Sequence, residues 1–174
     1  MNTLQVSKVD LSKYKNSILY FLNFCNNQYL GSTKLNKLMY YLDFVSYRDR
    51  RKPVSGDSYL HSDFGPVPQE IDKILALLKE EGAVTARDLP FKDGHKDEFN
   101  VSREPDMKSF DTYEIRLLEA ICKEFELWDT AKIVEQTHLE APWFYSEPLA
   151  AVDYEYANDI DFFAEMTSHA SPKG

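Results

Sequence analysis

The chain has 174 residues, 43% hydrophobic and 14% aromatic, which fits a single domain at the usual ~100 to 200 residues per domain. Its 20 Lys and Arg stand against 29 Asp and Glu, and the formal charge of −9 weighs against a general binder of nucleic acid or anionic membrane. No apolar run approaches the roughly 18 residues of a membrane helix, and the opening MNTLQVSKVDLSKYK lacks the apolar stretch of a secretory signal, so a cytoplasmic protein is expected.

Tyr14, Ile18, Phe21, Leu22, Cys25 and Tyr29 recur on one helical face, predicting a first helix over about 10–29 that Gly31 stops. Thr33 can cap a second helix whose apolar stripe is Leu35, Leu38, Met39, Leu42 and Val45, and Pro53 forbids its continuation. On its other side Asn36, Lys37, Tyr40, Asp43 and Tyr47 form a polar and aromatic stripe, either an ordinary amphipathic surface or a contact face. Arg48, Arg50, Arg51 and Lys52 close this helix, where cations suit the negative end of its dipole.

Val54 to Phe64 reads as a loop with a short extended segment, and Gly65-Pro66-Val67-Pro68 as a turn. Pro68 then suits the first position of a third helix, which presents Ile71, Ile74, Leu75 and Leu78 inward until Gly82. Val84 to Leu89 and Phe99 to Ser102 flank Asp93-Gly94 as a small hairpin whose connection is longer than two residues. Asp111 and Glu114 have the spacing of a capping box, so a fourth helix covers about 112–127. A short fifth helix begins at Asp129 or Thr130 and carries Ile133 and Val134, with Pro142 ending it, and a sixth spans Tyr154 to Glu165. The expected fold class is therefore α+β and mainly α, about six helices around one core with a small β-hairpin. Residues 1–166 are read as one domain and 167–174 as a loose tail.

Charge is uneven along the chain: residues 1–52 carry +6, 53–132 carry −8 and 133–174 carry −7. Either a basic amino-terminal layer packs beside an acidic carboxy-terminal one, or a polarised surface is offered to a partner. Cys25 and Cys122 lie in apolar helical patterns and are expected as two buried thiols.

Catalytic signatures are missing. The sequence contains no Gly-rich phosphate loop, nucleophile elbow or zinc-protease motif, so an enzyme, a cofactor and a metal centre are not expected. Of His61, His95, His138 and His169, His138 in Thr137-His138-Leu139-Glu140 bears a faint resemblance to a ligand pair, spacing of that kind is common by chance, and a hydrogen-bonding role at a helix end explains it better. Helix 68–81 followed by the hairpin has the order of a recognition helix and wing. Its Glu70, Asp72, Glu80 and Glu81 against Lys73 and Lys79 give a net −2, the wrong sign for a DNA groove.

Three stretches together resemble the Panacea, or SocA-like, antitoxin domain of bacterial and phage toxin-antitoxin systems. They are Lys34-Leu35-Asn36-Lys37-Leu38-Met39-Tyr40-Tyr41, then Tyr59-Leu60-His61 with Phe64-Gly65-Pro66-Val67-Pro68, then Thr137-His138-Leu139-Glu140-Ala141-Pro142-Trp143. They follow the family's order, and Asp153-Tyr154-Glu155-Tyr156-Ala157 is similar to the tail of some members. One departure is His61-Ser62, where many members carry an Ala-Trp pair.

The resemblance implies a non-enzymatic antitoxin that binds and blocks a protein toxin, encoded beside it. The alternatives are a regulator binding DNA at its own operon and an adaptor delivering the toxin to a protease; self-association is also open. The amino-terminal helix-turn-helix domain that some related antitoxins carry is not expected in this chain, which weighs against promoter control by this chain alone. The candidate partner-binding residues are Asn36, Lys37, Tyr40, Tyr47, His61, Gly65, Pro66, His138 and Trp143. These motifs either build the core or also line the partner groove. If Asn36, Lys37, Tyr40 and Tyr47 form an exposed patch, Tyr40→Ala with Lys37→Glu weakens neutralisation in a folded chain, whereas Leu38→Ala costs roughly 2 to 5 kcal/mol of stability.

Overall fold

The computed structural model describes residues 9–92 and 94–166; the expected tail at 167–174, His169 and Asp93 lie outside them. Asp10 opens α1, Leu11–Phe24, by accepting a hydrogen bond from the Lys13 amide at 3.0 Å, so one of the first-turn donors is satisfied. The helix α2, Ser32–Arg50, has Gly31 at its N-cap instead of the expected Thr33, and Arg51 ends it in the left-handed region at φ 57°. Beyond it, β1 (Tyr59–Ser62) and β2 (Gly65–Pro68) pair antiparallel in the register Tyr59↔Pro68 and Ser62↔Gly65. The turn expected at Gly65 to Pro68 is thus a strand, and α3, Ile71–Glu80, starts three residues after Pro68. Two prolines fit because β2 pairs on one edge only, where missing amide donors break no second ladder.

Strands β3 (Val84–Phe91) and β4 (Gly94–Val101) form the expected hairpin. The register runs to Phe91↔Gly94, leaving a two-residue connection shorter than expected. Asp111 and Glu114 make the anticipated capping box at the start of α4, Thr112–Phe125, and the Glu114 carboxylate also takes the Lys13 ammonium at 2.8 Å. Asp129 caps α5, Thr130–His138, by accepting from the Lys132 amide. Pro142 does not end α5. It lies in the first turn of a separate short helix, α6, Ala141–Phe144, where its missing amide proton removes no intrahelical bond. The expected last helix is instead a 3₁₀ segment, Tyr154–Asp159, with another at Ala164–Met166. The class is mainly α, α+β, with six α-helices and two two-stranded antiparallel sheets among the described residues.

The largest revision concerns α2, whose two sides are both buried. It packs against α1, α4, α5, β2 and the 3₁₀ segment Tyr154–Asp159, so Leu35, Leu38 and Leu42 are fully buried and so are Lys37, Tyr40 and Asp43. The exposed patch expected from Lys37 and Tyr40 does not form, because the helix is the centre of the molecule and has no free side along those turns. The expectation of two separate thiols is also revised: Cys25 and Cys122 are joined as a disulfide, with Cα atoms 5.7 Å apart, linking the end of α1 to α4.

Candidate partner-binding site

The buried Lys34, Lys37, Tyr40, Tyr41 and Asp43 of α2 each have a hydrogen-bond partner from another element or loop, as the cost of isolating such groups from water requires. Lys34 donates to the Glu126 carbonyl at the end of α4 (3.0 Å), and burial lowers its ammonium pKa to about 8. Asp43 accepts from the Ser55 amide and hydroxyl, both at 2.6 Å, and from the Tyr59 hydroxyl; burial raises its carboxyl to about 6. Glu140 receives the Tyr40 and Tyr41 hydroxyls at 3.0 and 3.1 Å and the Gln136 amide at 3.2 Å, and burial pushes its pKa up to about 7.

Lys37 sits where the three motif stretches meet. Its Nζ donates to the Pro66 carbonyl at 2.7 Å, and burial lowers its pKa to about 7. Gly65 lies against it with φ +98°; a Cβ there would fall 2.5 Å from Thr137 Oγ1 and 2.8 Å from Lys37 Cε. Only glycine satisfies both the backbone angle and the close approach. Beside this contact, Trp143 is stacked between His61 and His138, with ring centroids 4.2 and 4.0 Å away and interplanar angles of 19° and 24°. The indole Nε1 donates to the Ser62 carbonyl at 2.7 Å, fastening α6 to the end of β1. Burial lowers the pKa of His138, and its Nε2 is buried without a hydrogen-bond partner among the described residues.

The structure therefore brings six of the nine candidate residues, Lys37, His61, Gly65, Pro66, His138 and Trp143, into one junction, and couples Tyr40 to α5 through Glu140. Tyr47 is remote from it, with its hydroxyl on Glu155 and its ring against Tyr154, and Asn36 is half-buried. Lys37 and Gly65 are buried within this junction, and His138 and Trp143 are partly exposed at its edge. The outer edge of His138 lines a groove of about 820 Å³ between the start of α2, the Asp63-Phe64 turn, the β3–β4 tip and α5.

Exposed side chains next to the junction were missed in the sequence. Phe64, Leu139, Phe144, Tyr145 and Leu149 all face solvent. Two of them, Leu139 and Phe144, lie in or directly after the third motif, but an apolar residue in a short helix carries no signal of its outward direction. Glu140 was missed as well, since its hydroxyl partners stand about a hundred residues earlier in the chain.

These features define a mainly helical α+β domain whose three motif stretches meet around the buried Lys37 and the stacked Trp143. The chain matches the family described as "Antitoxin SocA-like, Panacea domain" over residues 35–144, and it belongs to that family. Comparison with curated proteins and with solved structures finds no match. No described helix is long and apolar enough to cross a membrane.

Proposed function

We propose that this protein is an antitoxin that neutralises a cognate protein toxin by direct binding and without catalysis. The observation that carries the reading is the convergence of all three family stretches on one junction, which fixes β1, β2, α5 and α6 as a rigid unit. Rigid placement lowers the ordering cost of association, which favours stoichiometric capture of a partner. The groups at the centre of the junction serve burial: the amine of Lys37 is fully covered and is occupied by a carbonyl, out of reach of a substrate.

Co-expression with the product of the neighbouring gene tests this. Restored growth with a copurifying complex of the two chains is expected. Growth arrest that persists, with no complex, overturns the proposal.

A further inference from the structure

The chain after α5 exposes a run of large apolar side chains in a strongly acidic stretch. Phe144 and Tyr145 rings lie 5.2 Å apart, and Tyr145 and Tyr156 rings 5.5 Å apart, so the three form one continuous ridge. Leu149 stands in the same segment and is 82% exposed. Its backbone has φ +62°, in the left-handed region that a leucine adopts only under strain. Two hydrogen bonds hold it there, from the Leu149 amide to the His61 carbonyl and from the His61 amide to the Ala150 carbonyl, each 2.9 Å. The segment is thus pinned along β1, and an apolar side chain is directed to solvent at a backbone cost, the combination that marks a functional surface.

Charge limits what can cover this ridge. Between Lys132 and Lys173 the sequence has no Lys or Arg, and Glu147, Asp153, Glu155, Asp159 and Asp161 are exposed there. Arg51 pairs with Glu155 at 3.2 Å and lies over the Tyr47 ring, 5.5 Å from its centroid. A second copy of this chain would set the same acids against themselves across a two-fold interface, and an anionic membrane would be repelled. A cationic occupant is attracted by the rim and anchored by the rings.

We propose that this acid-rimmed ridge, Phe144, Tyr145, Leu149 and Tyr156, is the docking surface of the antitoxin, and that its occupant is a protein segment presenting aliphatic or aromatic anchors flanked by Lys and Arg. The proposal rests on the antitoxin reading and assigns it a face and a partner chemistry. The buried motif junction holds this face in place and does not itself touch the partner.

The test titrates the isotopically labelled full chain with three synthetic peptides of roughly 18 residues, long enough for five helical turns. One is an amphipathic Leu/Lys helix, one is the same design with Glu for Lys, and one is a scrambled Leu/Lys sequence. The Leu/Lys helix should shift amide resonances of residues 144–156, bind more weakly as salt rises from about 0.1 to about 0.5 M, and outcompete the other two peptides. Leu149→Asn should weaken it at least about tenfold while melting at the same or a higher temperature, because Asn tolerates the left-handed backbone. Equal binding of the scrambled peptide, or shifts confined to the β3–β4 hairpin, overturns the proposal.

The same variant separates this claim from the antitoxin reading. If the neighbouring gene's product copurifies equally with wild type and Leu149→Asn, the ridge is overturned and the antitoxin reading stands. If it copurifies with neither chain, the antitoxin reading fails and the peptide titration decides the ridge.

Discussion

Gly65 and Lys37 show how much a single position can depend on a distant one. With a Cβ 2.5 Å from Thr137 Oγ1 and φ at +98°, Gly65→Ala is expected to destabilise the fold by roughly 2 to 4 kcal/mol, read as a lower urea midpoint. Lys37 gives a pH-dependent counterpart. Its pKa is about 7 in the folded chain and the ordinary 10.5 when unfolded, so between those values the unfolded chain holds more protons and stability rises with pH. Below about pH 7 both states are protonated and the folded chain carries the full cost of a buried ammonium, about 1.4 kcal/mol per unit of depression. Lys37→Met is therefore expected to melt above wild type at pH ~6 and to lose most of that advantage by pH ~10. An advantage that does not change with pH contradicts the assignment. Gly-Pro was legible as a backbone device in the sequence, but the lysine beneath it was not, because nothing in Lys34 to Tyr41 distinguishes a solvated amine from one capped by a carbonyl 29 residues later.

At the scale of elements, capping was the most legible feature, since Asp111 and Glu114 act within three residues of each other. Asp111→Ala is expected to cost about 1 kcal/mol through the lost cap, with a little more from its ion pair to Arg50 at 2.8 Å; thermal melting measures it. The α2 helix was read as two-faced because periodicity reports where apolar residues fall and not how many neighbours a helix will have. Five elements surround it, and the polar stripe is buried through hydrogen bonds to groups about 12 to 100 residues away. Tyr40→Ala and Leu38→Ala are consequently expected to act alike, each costing roughly 2 to 5 kcal/mol of stability. A folded, fully stable Tyr40→Ala chain would contradict the central position of α2. The β1–β2 pair escaped sequence reading for a related reason: Pro66 and Pro68 argue against a strand unless it is known to lie on an edge.

Across the whole molecule, the uneven charge is met in part by internal contacts between the basic end of α2 and the acidic carboxy-terminal part. Arg48 donates to the carbonyls of Ile160, Phe162 and Phe163, and Arg51 pairs with Glu155, so the basic end of α2 does secure the acidic carboxy-terminal part. Glu147, Asp159 and Asp161 stay at the surface, so the carboxy-terminal part keeps exposed acids. The buried titratable groups give the fold a further signature. Glu140 and Asp43, raised to about 7 and about 6, hold more protons folded than unfolded, so their contribution falls as pH rises from about 4 to those values. Lys37 contributes the opposite slope above about 7. The stability difference between wild type and the Lys37→Met, Asp43→Asn, Glu140→Gln variant should therefore favour the variant most near neutral pH, as measured by urea midpoints across pH ~5 to ~9.

Direct capture of a toxin on the acid-rimmed ridge is tested most directly by hydrogen exchange of the full chain, alone and in complex with the co-expressed product of the neighbouring gene. Amides of residues 144–156 should gain protection in the complex, while those of the β3–β4 hairpin keep their free-chain rates. Protection gained on the hairpin and the groove beside it, with exchange at 144–156 unchanged, would contradict the account.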